Sequence, residues 1–210
     1  MQFIIAFLVI VFLSPSFVNA QSGDPLGPNC KSKSKQLGFK NRVFVAGVPQ
    51  DKGEWCWAAT AQSLLGFHKK NIGPNQCDLV GTVLNKPCCG DNPPDDCHTI
   101  GQPEDVFDTN NYKLLYETQD RLGKLTWTMA TEEICQGRPF ISAVDLGGGP
   151  FVPDHSVVVF GYDANKKHPQ PIPCVRVYDP ADGADYCISY EYFFGEDGHV
   201  RDTFQIEPTR

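Results

Sequence analysis

Gly53-Glu54-Trp55-Cys56-Trp57-Ala58-Ala59-Thr60-Ala61-Gln62-Ser63-Leu64-Leu65-Gly66 decides how the rest of the chain is read. From Trp57 onward the apolar residues Trp57, Ala61, Leu64 and Leu65 recur at i, i+4, i+7 and i+8, one stripe of an amphipathic helix. The alanines favour that helix, Gly66 lies near its expected end, and Gly53 loosens the chain just ahead of its start. Cys56 therefore falls at a helix N-terminus, where unpaired N–H groups and the helix dipole favour a thiolate. In such places a thiol pKa can fall from about 8.5 to as low as about 3.5, above all beside an imidazolium. A cysteine that merely packs or bridges there is the plain alternative, so the decision lies with its surroundings.

Upstream, Val43 to Gln50 reads as an extended segment, and Gln50 stands six residues before Cys56. A carboxamide N–H₂ close to a nucleophile can donate to the oxyanion of a tetrahedral intermediate. Downstream, His155 heads the run His155-Ser156-Val157-Val158-Val159-Phe160, and Gly161 and Asp163 close it. The β-branched run predicts a strand, and a histidine at the head of a buried strand is held rigidly. Among the other histidines, His68 is expected at an exposed helix end and His98 in a cysteine-rich loop. His168 and His199 fall in polar, turn-like stretches. Asp179 ends the next predicted strand, Cys174-Val175-Arg176-Val177-Tyr178-Asp179. Adjacent strands entering one cleft would bring it to the far nitrogen of His155, where it could orient the ring. An ordinary Asp-Pro turn is the competing assignment for Asp179, and Asp163 and Asp182 are weaker candidates for the orienting role.

Gln50, five residues, then Cys56-Trp57-Ala58 at a helix start is similar to the nucleophile motif of papain-like cysteine peptidases. The fuller form, Val48-Pro49-Gln50 followed by Trp55-Cys56-Trp57-Ala58-Ala59, resembles the compact secreted branch that includes the AvrRpt2-type (C70-like) effector peptidases. His155 with its apolar run and Gly161-Tyr162, and Val177-Tyr178-Asp179-Pro180, resemble that family's histidine and orienter strands. The resemblance implies a two-lobed α+β fold, with the nucleophile helix packed on a C-terminal antiparallel sheet. It implies peptide hydrolysis with Cys56 as nucleophile, His155 as base, Asp179 as orienter and Gln50 as oxyanion donor, without cofactor or metal. Two departures stand out. Glu54-Trp55 replaces the Cys-Gly-Ser-Cys of the lysosomal enzymes, and Ala181 stands where an aromatic shield usually follows.

Nine cysteines are present: Cys30, Cys56, Cys77, Cys88, Cys89, Cys97, Cys135, Cys174 and Cys187. The odd count leaves at least one without an intramolecular partner, and the other eight admit 105 pairings. Cys174 and Cys187 are placed to clip two strands, and Cys77 to Cys97 to staple one irregular region. The spacing of Cys88-Cys89 and Cys97-His98 fits no usual zinc pattern. Disulfides suit export. Phe3 to Leu13 is an apolar run too short to span a bilayer, and Ala20 suits cleavage before Gln21. The expected division is a signal peptide over 1–20, a short segment over 21–42 and a peptidase domain over 43–210. A secreted monomer is expected, with a protein or peptide substrate, a protein inhibitor as a further possible partner, and no membrane contact after cleavage. The net charge of −7 argues against a nucleic-acid partner, since phosphates call for clustered Lys and Arg. The short basic stretch Lys31 to Lys40 reads as solvated surface.

Elsewhere the sequence is less decisive. Asp105 to Leu122 predicts a helix or a loose connection. Thr131 to Cys135 predicts a helix capped by Thr128 or Thr131 and ended by Gly137, and Phe140 to Leu146 a strand. Gly147 to Pro150 reads as a loop lining the cleft or as a plain linker, and the Cys- and Pro-rich segment 70–100 as a cap over the cleft. The rivals to a peptidase are a catalytically silent, disulfide-stapled binding module and a Cys–His amidase, isopeptidase or transpeptidase. The last shares the same thiol chemistry, so residue types do not separate it.

Overall fold

The computed structural model describes residues 43–69, 74–109, 112–118, 126–145, 155–163, 173–194 and 200–208. The apolar run Phe3 to Leu13, the cleavage point before Gln21, Lys31 to Lys40, Cys30, the loop Gly147 to Pro150, His168 and His199 lie outside the described residues. In chain order the helices are α1 (Cys56–Lys69), α2 (Gln76–Leu84), α3 (Pro103–Thr109), α4 (Trp127–Cys135) and α5 (Tyr190–Phe194). A 3₁₀ turn covers Asp95–Cys97. The strands are β1 (Tyr112–Thr118), β2 (Phe140–Val144), β3 (His155–Asp163), β4 (Cys174–Asp179), β5 (Ala184–Ser189) and β6 (Val200–Pro208). They form one sheet in the order β1-β6-β2-β3-β4-β5 with every pairing antiparallel, so the fold is α+β and papain-like as the sequence implied.

The central strand shows why the sheet needs two covering layers. β3 is buried at every residue except the last, so it reads as a continuous apolar run rather than an alternating one. Val158 and Phe160 face a core made with α1, α2 and α3, including Trp57, Leu64, Leu65, Leu79 and Phe107. Val157, Val159 and Tyr162 face a second core made with α4 and α5, including Ile134, Phe140, Val177, Phe193 and Phe194. The switch from odd to even positions follows a bulge between Val159 and Gly161, where one extra residue reverses the facing of those beyond it.

The extended segment 43–50 ties the sheet to α1. The Val43 N–H donates to the Phe160 carbonyl at 2.7 Å, and the Gln50 N–H to the Pro180 carbonyl at 2.9 Å. The Val48 N–H donates to Ser63 Oγ on α1 at 3.0 Å. A Cβ on Gly47 would collide with the ring of Tyr178, so only glycine lets the segment lie this close.

Several expectations are corrected. α1 runs through Gly66 to Lys69, because packing against two neighbouring helices outweighs the roughly 1 kcal/mol that an interior glycine costs. His68 lies in the last turn of the helix as expected, but half-buried rather than exposed, with its ring against Phe67. The cap of α4 is Thr126, whose Oγ1 accepts the Met129 N–H at 3.2 Å, and neither Thr128 nor Thr131 caps it. Thr131 bonds back to the Trp127 carbonyl instead. Asp105 to Leu122 holds the end of α3 and then β1, an edge strand paired with β6.

Three disulfides join described cysteines: Cys77–Cys89, Cys88–Cys97 and Cys174–Cys187. Cys174–Cys187 clips β4 to β5, Cys77–Cys89 ties the first turn of α2 to the loop after it, and Cys88–Cys97 ties that loop to the 3₁₀ turn. The sulfurs of Cys88, Cys89 and Cys97 are therefore bonded to sulfur and not open to zinc. Cys135 is also disulfide-bonded, and Cys56 is the free cysteine among the described residues. No helix among the described residues is long and apolar enough to cross a membrane. Leu64 is fully buried where α1 meets the sheet. Leu64→Ala is expected to lower the unfolding free energy by about 2–5 kcal/mol, read from the midpoint of urea denaturation.

Candidate active site

Cys56 is the first residue of α1. The Trp55 carbonyl accepts the Ala59 N–H at 2.9 Å, which closes the first helical turn. The N–H groups of Cys56, Trp57 and Ala58 thus have no acceptor within the helix and form its positive end. The buried hydroxyl of Thr60 donates back to the Cys56 carbonyl at 2.9 Å and the Trp57 carbonyl at 3.1 Å. Cys56 is itself buried, at 6 % exposure.

His155 arrives as the first residue of β3 and Asp179 as the last of β4, the two strands lying side by side. His155 Nε2 and Asp179 Oδ1 are 2.7 Å apart. Cys56 acts on the same ring as a second electrostatic partner, and with Nε2 taken by Asp179 the ring nitrogen left for it is Nδ1. Cys56 and His155, 99 positions apart, and Asp179, 24 positions further on, are thereby brought into one row. Asp179 also fills the turn role that competed with this one. Its Oδ1 accepts the Ala181 N–H at 2.9 Å, and its carbonyl accepts the Gly183 N–H. The turn bond fixes the carboxylate that meets the histidine. Asp163 lies at the opposite end of β3, and Asp182 caps Ala184 and bonds Tyr186, so neither serves His155.

Electrostatics follow from that row. Burial is the largest influence on His155 and by itself favours the neutral ring. The hydrogen bonds to Asp179 and Cys56, with the negative charge on each, together outweigh it and push the His155 pKa up to about 10. For Asp179, burial again opposes the charged form. The His155 bond, the Ala181 N–H and the imidazolium charge overcome it and hold the carboxyl below its ordinary range.

Gln50 is half-buried at the end of the extended segment. Its Nε2 donates to the Lys52 carbonyl at 2.9 Å and to the Gly53 carbonyl at 2.6 Å, while Oε1 is buried without a hydrogen-bond partner. Both donors therefore lie within the turn that leads into α1.

Sequence reasoning missed three groups here. Gln76, buried on α2, brackets Gln50: its Oε1 accepts the Asp51 N–H at 2.8 Å and its Nε2 donates to the Pro49 carbonyl at 2.7 Å. Trp55 and Trp57, fully buried on either side of Cys56, donate their indole N–H groups to the carbonyls of Cys97 and Thr99. Tyr192 and Phe193 of α5 supply aromatic cover that Ala181 does not. With Val144, Val157, Val177 and Ile188 they line a cavity of about 70 Å³ against the His155–Asp179 pair. Only the period of an aromatic cluster, Tyr190-Glu191-Tyr192-Phe193-Phe194, signalled them.

A family model described as Peptidase_C39 like family matches residues 43–196, which takes in Gln50, Cys56, His155 and Asp179. The chain belongs to the Peptidase_C39-like family. Membership supports the papain-like superfamily and points to cysteine-peptidase chemistry for this Peptidase_C39-like protein. No curated protein matches it.

The pH behaviour of the Peptidase_C39-like protein follows from the two carboxyl and imidazole shifts. The folded state binds the His155 proton more tightly than an unfolded chain, in which histidine titrates near 6.5. That contribution to stability is complete below about 6.5 and disappears as pH rises towards about 10. Asp179 acts in the other direction: its contribution is present above 3.8 and is lost as pH falls through its lowered value. Asp179→Asn retains an acceptor oxygen but removes the charge. It is expected to move the His155 titration, followed by NMR of the ring nitrogens, towards neutral pH, and to reduce the loss of thermal stability between neutral pH and pH 10, the Cys56 contribution remaining.

Proposed function

We propose that the protein is a secreted cysteine peptidase that hydrolyses peptide bonds through an acyl-enzyme on Cys56. The observation that carries this reading is the row Cys56–His155–Asp179, with the 2.7 Å His155–Asp179 bond leaving the other ring nitrogen to the sulfur of a free cysteine. Family membership supports the chemistry, and the Val-Pro-Gln spacing ahead of Trp-Cys-Trp favours the compact AvrRpt2-type branch of the papain-like superfamily.

In this mechanism His155 holds the proton at neutral pH, and the attacking form of Cys56 is its thiolate. The thiolate attacks the scissile carbonyl carbon. The oxyanion that forms accepts the Cys56 N–H at the start of α1 and an N–H of Gln50. Each Gln50 donor is engaged by a turn carbonyl before substrate binds, so the oxyanion replaces one of those two acceptors. Catalytic hydrogen bonds are commonly completed only in the complex. Nδ1–H of His155 passes its proton to the leaving amine as the C–N bond breaks. His155 then takes a proton from water, the resulting hydroxide attacks the thioester, and the Cys56 thiolate is released. Asp179 keeps the ring oriented and its charge balanced throughout.

Secretion belongs to the same proposal: a signal peptide over 1–20, a short segment over 21–42 and the peptidase domain from 43. Disulfides formed in an oxidising compartment support it. A protein or peptide is the substrate, and the chain acts as a monomer open to control by a protein inhibitor.

Profiling of a peptide library with the purified protein is expected to give cleavage that Cys56→Ala abolishes. Cleavage persisting in Cys56→Ala would rule the mechanism out. Gln50→Ala is expected to lower kcat by about 10²–10³-fold while leaving the thermal midpoint within a few degrees. Unchanged kcat would remove Gln50 from the oxyanion site.

A further inference from the structure

The segment from Gln76 to Thr99 has no part in the chemistry just described, yet it holds the candidate site at four points. At one end, buried Gln76 uses both ends of its carboxamide on the backbone at Pro49 and Asp51, the two neighbours of Gln50. At the other end, the Cys97 carbonyl accepts the Trp55 indole N–H at 2.8 Å, and the Thr99 carbonyl accepts that of Trp57 at 3.1 Å. These tryptophans flank Cys56, and their exposures are 1 % and 0 %. The chain then passes Trp57 so closely at Gly101 that a Cβ there would lie 2.6 Å from the indole.

The segment is itself braced. Cys77–Cys89 and Cys88–Cys97 use adjacent cysteines, so α2 and the 3₁₀ turn at Asp95–Cys97 are linked through one short stretch of backbone. An ion pair between Lys86 and Asp96 closes the same loop at its surface. The carbonyl that holds Trp55 belongs to a cysteine of this framework.

We infer that the disulfide-braced segment Gln76–Thr99 is the positioning element of the site, with Gln76 setting Gln50 and Trp55 and Trp57 setting Cys56. The inference rests on the proposed peptidase mechanism and extends it to residues that touch neither substrate nor reacting atoms. Gln76, Trp55 and Trp57 are positioning residues. They divide the site into two separately held halves, an oxyanion half behind Gln50 and a nucleophile half at the start of α1.

The division gives the test its form, because alkylation of a thiolate by iodoacetamide forms no oxyanion whereas peptide hydrolysis does. Three variants of the full, disulfide-intact protein serve: Gln76→Met, which keeps the volume and loses both hydrogen bonds, Trp55→Phe and Trp57→Phe. The rate of iodoacetamide capture, assigned to Cys56 by peptide mass, is followed from pH 4 to pH 10, beside kcat and KM for the best library peptide. Gln76→Met is expected to lower kcat roughly 10- to 100-fold, with KM little changed and the alkylation profile that of the wild type. Trp55→Phe is expected to slow both reactions and to move the alkylation profile, since the sulfur itself shifts relative to His155. Trp57→Phe does the same on its own bond and stands in if Trp55→Phe fails to fold. Wild-type rates in all folded variants would overturn the inference. So would losses of both reactions that merely follow the folded fraction with an unmoved pH profile. If wild-type Cys56 reacts no faster than in the unfolded chain, the peptidase reading fails first; if it is fast and the variants match it, only the positioning role fails.

Discussion

The hydrogen bond between His155 Nε2 and Asp179 Oδ1 is the constraint around which the rest of the structure is arranged. Burial alone would leave the ring neutral, and a neutral ring could neither pair with a thiolate nor deliver a proton to an amine. The charge is kept because the fold sets two strand ends beside each other. The turn after β4 then fixes the carboxylate through Ala181, and the apolar side chains under the pair limit competition from water. A strand buried on both faces is well suited to present His155, because neither cover can shift without disturbing a packed core.

The sulfur is placed by different means. α1 is held to the sheet by its own apolar stripe and to the extended segment by Ser63, so its first turn is fixed from within and from outside. That first turn also faces the loop over residues 85–97, in which only Cys88 and Cys97 are buried. The two disulfides there substitute covalent links for the packing such a short, Pro-rich stretch lacks. Among the described residues Cys56 is the free cysteine, while the other described cysteines are disulfide-bonded.

Much of this was legible in the sequence because it depends on residue type. The stripe Trp57, Ala61, Leu64, Leu65 announced α1, the valine run announced β3, and the strand ending at Asp179 has the bounds that its residues suggested. The encounter of His155 with Asp179 could be anticipated from the order of two adjacent strands. What stayed hidden has a common physical origin in groups that carry no side-chain signal. Trp55, Trp57 and Gln76 bond to backbone carbonyls and an amide of residues whose identity is immaterial to the bond. β1 depends on β6, its partner some ninety positions away, and Asn110-Asn111 broke up the only local pattern. α1 ends at Lys69, three residues past Gly66, because a glycine is a stop signal only where tertiary contacts do not carry the helix on.

The central claim is that His155 is an imidazolium at neutral pH, held between Asp179 and Cys56. NMR titration of the His155 ring nitrogens observes that state directly. The account requires both nitrogens to stay protonated through neutral pH and the proton to leave near pH 10. A ring that titrates at or below the ordinary 6.5 would contradict it.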